Sequence, residues 1–86
     1  MEQENKIFIK ETSDIDLTAY LIVSGFTLIG PPKRKERLVI FQFENTPELE
    51  QAWNHYFEKH TSVDALTFSE VTRKLRTQIK EFGLGR

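Results

Sequence analysis

Apolar and polar residues along this chain recur at period two in some stretches and at helical spacing in others, and the switches between them predict the elements. Lys6 to Lys10 reads Lys, Ile, Phe, Ile, Lys, so Ile7 and Ile9 share one face and Phe8 lies between lysines on the other. Charged flanks of this kind suit an edge strand. Glu11-Thr12-Ser13-Asp14 breaks the alternation. Ser13 followed by Asp16 is a weak form of capping box, which predicts a helix through Leu17, Tyr20, Leu21 and Ser24 that Gly25 stops. Phe26 to Gly30 resumes strand character, Pro31 to Arg37 reads as a hairpin loop, and Leu38 to Phe43 is the strongest strand of the chain. In that strand Val39, Phe41 and Phe43 share one face, and Leu38, Ile40 and Gln42 share the other. A strand apolar on both faces belongs in the middle of its sheet.

The clearest local signal is Asn45-Thr46-Pro47-Glu48, with Thr46 as N-cap, Pro47 at the first helical position and acids following in the first turn. The stripe Leu49, Ala52, Trp53, Tyr56 and Phe57 then follows the spacing of a helix lying on a core. Asp64 caps a third helix, with Val63 and Phe68 placed as a hydrophobic staple and Phe68, Val71, Leu75, Ile79 and Phe82 on its buried side. Gly83 ends it.

The predicted order is β-α-β-β-α-α in one α+β domain spanning residues 1–86. With the doubly apolar third strand between the other two, the sheet is three-stranded and antiparallel with order 1-3-2, the helices mainly on one face. The order 1-2-3 ranks second because it leaves the most apolar strand at an edge. A chain of 86 residues is long enough for a modest core without metal or disulfide support. It has no cysteine, no apolar run near the roughly 20 residues that span a bilayer, and an acidic N-terminus without the apolar core of a signal peptide. A soluble cytoplasmic protein, with no membrane partner, is the expectation.

Little in the sequence points to catalysis. His55 and His60 lie five residues apart, about 140° around a helix, and cannot share a face as a ligand pair. No metal and no cofactor is expected. The serines fall at caps, turns and within helical patterns, none in a strand-to-helix elbow, and the four glycines form no phosphate-binding motif. An enzyme is therefore not expected.

Charge adds one lead. The net charge of −1 conceals a balance of −3 over residues 1–16, +3 over 33–37, −4 over 44–58 and +3 over 59–86. Lys33, Arg34, Lys35 and Arg37 crowd the hairpin, and Arg73, Arg76 and Lys80 form a ridge on the third helix. If hairpin and ridge share a face, these seven cations could track a phosphate backbone, with Phe8 stacking on a base. Nucleic-acid binding is the first expected function. The rival is a protein partner or homodimer, held by Phe8, Leu38 and Ile40 on the sheet face away from the helices, unless the third helix or the segment around Val63 covers that face.

The Thr12-x-Asp14 turn, the Tyr20-Leu21 and Ser24-Gly25-Phe26 helix exit, the Val39 to Glu44 strand, and Thr46-Pro47-Glu48-Leu49 leading to Tyr56-Phe57 together resemble a small uncharacterised family of prokaryotic and phage domains of unknown function. The likeness runs from about Phe8 to Arg76 and rests mainly on structural residues; the basic segment Pro31 to Arg37 is a departure from it. It supplies no catalytic set. What it implies is a setting in phage or mobile-element biology, with nucleic acid or host protein as partner.

Overall fold

The computed structural model describes residues 7–58 and 62–81. Six elements follow one another: β1 (Ile9–Thr12), α1 (Ile15–Val23), β2 (Lys33–Lys35), β3 (Leu38–Glu44), α2 (Pro47–Phe57) and α3 (Ala65–Glu81). The expected architecture holds, with β3 central in an antiparallel sheet of order β1-β3-β2.

Local chemistry sets the helix ends. The Asp14 carboxylate, rather than Ser13, caps α1 by accepting from the Leu17 amide at 3.1 Å, and the Thr12 hydroxyl accepts from the Asp14 amide at 3.0 Å. Gly25 ends the helix with φ +109°, a conformation that a Cβ would strain. Thr46 caps α2 through the Leu49 amide at 3.1 Å, with Pro47 in the first turn. Asp64 caps α3, accepting from the Thr67 amide at 2.9 Å and the Thr67 hydroxyl at 2.7 Å. Those two bonds, the hydroxyl first, hold its carboxyl below the usual range.

The second strand departs from expectation. Phe26 to Gly30 contributes only a single bridge, Leu28 to Phe43, and the ladder proper lies within the supposed loop, pairing Lys33 with Ile40, Arg34 with Val39 and Lys35 with Leu38. Between the two pairings the four residues Ile29 to Pro32 stand against Phe41 and Gln42, with the Ile29 amide donating to the Gln42 carbonyl at 2.8 Å, a bulge where proline's missing N–H costs no ladder bond. The hairpin loop shrinks to Glu36 and Arg37, and Glu36 takes a positive φ of 56°.

All three helices pack on the face of β3 that carries Val39, Phe41 and Phe43. Phe43 joins Leu17, Tyr20, Leu21 and Leu49, which ties α1 and α2 to the sheet. Val39 and Phe41 join Ala19 and Leu75, which ties α1 and α3 to it. Helix α1 is the middle piece. Five successive residues, Leu17 to Leu21, are buried, and Thr18 among them satisfies its hydroxyl on the Asp14 carbonyl at 2.8 Å. Val63 and Phe68 both pack on the first cluster, as a staple requires. Two positions differ from expectation: Ser24, expected within α1, is its exposed C-cap, and Phe57, expected on the buried stripe, is exposed at the end of α2. Phe82, Gly83 and His60 lie outside the described residues.

Candidate interaction surface

The register of the sheet decides which side chains face away from the helices. Directly paired residues share a face, so Ile9 lies with Glu44, Glu11 with Gln42, Lys33 with Ile40 and Lys35 with Leu38, all opposite to Val39, Phe41 and Phe43. None of the apolar clusters that join α1, α2 and α3 to the sheet includes a residue of this open face. Neither α3 nor Val63 covers it, since both pack on the other side. Leu38 is 54% exposed and Ile9 49%, while Ile40 is half-buried between its neighbouring strands. Gln42 is the buried polar member, its amide donating to Glu11 Oε2 at 2.7 Å. The face is also graded in charge, with Glu11 and Glu44 toward β1 and Lys33 and Lys35 along β2.

Phe8 does not belong to this face. The Asn45 amide donates to the Phe8 carbonyl at 2.7 Å, which continues the β1 to β3 ladder by one residue. Alternation then puts Phe8 on the side of Lys10 and Phe43, and Ile7 beside Ile9 on the open side. The expected trio of Phe8, Leu38 and Ile40 is therefore corrected to Ile7, Ile9, Leu38 and Ile40. What hid this is Lys10, which turns a charged side chain toward the helices. Its ammonium sits 4.7 Å from the centre of the Trp53 ring and 3.3 Å from Glu50 Oε2. Asn45 Nδ2 also donates to Glu50 Oε2, at 3.1 Å, and these two partners, Asn45 first, hold the Glu50 carboxyl below its usual range. The spacing of Lys6 to Lys10 already separates Phe8 from Ile7 and Ile9; only the partner of Lys10 was missing from the sequence.

The seven cations named from the sequence are divided by the same geometry. Lys33 and Lys35 project from the open face, Arg34 from the helix side beside Val39, and Arg37 from the turn. On α3, Arg73 and Lys80 are rotated about 160° and 140° from the buried Leu75, and Arg76 about 100°. All three are exposed on the outer surface of the helical layer. The sheet thus stands between the lysines of the hairpin and the ridge on α3. Arg76 and Lys80 border a cavity of about 290 Å³ beside Ile15 instead.

Two further depressions bear on chemistry. One, of about 720 Å³, is lined by polar groups around Asn45, Glu50 and Asn54. The other, of about 460 Å³, lies between Ile22, Leu28, Val71 and Leu75 with Lys74 at its rim. His55 is exposed, and among the described residues no group of three or more His, Cys, Asp or Glu is placed to hold a metal ion. No helix among them is long and apolar enough to cross a membrane.

No curated protein and no solved structure matches the chain significantly. A family profile does match, and it covers residues 7–82, from the exposed edge of β1 past the end of α3. The chain belongs to the family described as a domain of unknown function, DUF5659.

Proposed function

We propose that this domain is a non-catalytic interaction module whose open sheet face packs against the same face of a second copy. The observation that supports this reading is a strand face that no helix among the described residues covers, bearing exposed Ile9 and Leu38 around Ile40, with acids toward one edge and lysines along the other. Apolar side chains grouped in this way mark contact surfaces. A two-fold contact is self-complementary. A second copy turned over about an axis lying in the face and running diagonally across the strands sets its Lys33 and Lys35 against Glu11 and Glu44 of the first, so that opposite charges flank the apolar middle.

Sedimentation of wild type and of Ile40→Asp tests this. A carboxylate at the centre of the face abolishes face pairing and halves the mass of the assembly. Leu38→Asp, at a more exposed position, weakens it in the same direction and guards against misfolding of the first variant. Equal masses for all three proteins overturn the reading.

A second reading, contact with nucleic acid, is favoured by one observation: Lys33, Arg34, Lys35 and Arg37 are all exposed on one short ribbon. The ridge of Arg73, Arg76 and Lys80 does not join them, so the ribbon alone must carry it. Titrating the same samples with labelled duplex DNA and RNA across a salt series separates the two: this contact weakens with salt and survives Ile40→Asp.

A further inference from the structure

The two outer edges of the sheet are built differently. On one side, β2 is three residues long and wholly cationic, a form of edge that discourages pairing. On the other side, Ile7 and Phe8 lead into β1 at Ile9, three successive large apolar residues that are 60%, 67% and 49% exposed. The hydrogen-bond phase shows what else this edge presents. Because the Asn45 amide bonds to the Phe8 carbonyl, the hydrogen-bonded partners of β3 are Phe8, Lys10 and Thr12. Ile9 and Glu11 therefore turn their N–H and C=O groups outward, away from β3. No backbone bond from either to another described segment competes for them.

We infer that β1 pairs antiparallel with β1 of a second copy, joining two three-stranded sheets into one of six strands. A two-fold register must set outward residues against outward residues, which centres it on a single residue of the strand. Centred on Lys10, it would place two lysines face to face. Centred on Phe8, it shortens the paired stretch of described residues to Ile7–Ile9. Centred on Ile9, it sets Ile9 opposite Ile9, Phe8 opposite Lys10 and Ile7 opposite Glu11, with no like charges opposed. Centred on Glu11, it would oppose two glutamates, so the register on Ile9 is the one the side chains permit across Ile7 to Glu11. It also covers the exposed apolar triplet on both sides of the sheet, Phe8 on the helix side and Ile7 and Ile9 on the open side.

This pairing is separate from face packing. Its two-fold stands normal to the sheet, whereas that of the face lies in the sheet, so the two contacts use different surfaces of the chain. The amides of Ile9 and Glu11 give the direct test by hydrogen exchange on the wild-type chain. They become protected at concentrations where the chain associates, and protection fades on dilution. In sedimentation, Ile9→Pro halves the assembly mass, because proline removes the outward N–H and no bond to β3. Ile9→Thr, which keeps that N–H, retains the pairing. Free exchange of both amides at every concentration, or equal masses for wild type and Ile9→Pro, overturns the inference. If Ile40→Asp leaves the mass unchanged while the two amides are protected, the edge stands and the face does not. The converse result separates them the other way.

Discussion

Strand β3 shows the contrast on which the molecule turns, because its two faces draw on similar residues and meet different fates. Val39, Phe41 and Phe43 are buried under three helices, whereas Leu38 is more than half exposed and Ile40 is half-buried. Apolar composition put β3 at the centre of the sheet, but it did not decide how many layers lie on that centre. The connections decided that: every helix returns to the same side. One face is thereby covered by the helices, and the other carries no helix among the described residues.

The strongest test of this contrast is a matched pair of truncations. Phe41 is fully buried, and Phe41→Ala is expected to cost about 3–5 kcal/mol in transfer and cavity terms. That is comparable to the whole stability of a domain this size, about 4–13 kcal/mol at 0.05–0.15 kcal/mol per residue. Leu38→Ala on the other face is expected to change the stability of the single chain by less than about 0.5 kcal/mol. Urea denaturation of dilute samples compares them. A loss above about 2 kcal/mol for Leu38→Ala would show that the open face is covered within the chain.

Gln42 sharpens the comparison because it is buried on the open face. Its amide reaches Glu11 across the β1 to β3 ladder, so Gln42→Ala removes a hydrogen bond to a charged group and is expected to cost about 1–3 kcal/mol. Glu11→Ala, which removes the partner, leaves the buried Gln42 amide donor unsatisfied and should cost a similar amount, about 1–3 kcal/mol. Equal costs near zero would mean that the bond holds nothing in place. The same urea titrations decide it.

How much of this was legible beforehand depended on whether the signal was local. The Thr46-Pro47 start of α2, the Gly25 stop and the Asp64 cap are short-range chemistry, and the sheet order followed from the two apolar faces of β3. Strand β2 was hidden because Lys33, Arg34 and Lys35 have no intrinsic strand character; they pair because Leu38, Val39 and Ile40 present a template after a two-residue turn. Phe8 lies on the helix side with Lys10, whose partner Glu50 is forty residues away and so leaves no local signal. The division of the cations had the same origin, since spacing along a helix or a hairpin says nothing of which side of the sheet each will occupy.

The smallest expected effect concerns the polar link on the helix side of β1, the counterpart of Gln42 on the open side. Glu50 accepts from Asn45 and Lys10, and its carboxyl in the folded chain titrates below its ordinary value of 4.5. A carboxyl depressed in this way adds stability above its unfolded value, and that contribution disappears as pH falls through the lower folded value. Wild type should therefore exceed Glu50→Gln by a constant small margin at neutral pH, and the margin should close progressively below about pH 4.5. Because Lys10 and Glu50 are both partly solvent-accessible, added salt should narrow it as well. Denaturation midpoints measured for both proteins from neutral to acid pH, at low and high salt, read the margin directly. A margin that persists unchanged into acid would mean that Glu50 holds β1 by packing and not by charge, leaving the cation over Trp53 as the contact that fixes Lys10 on the helix side.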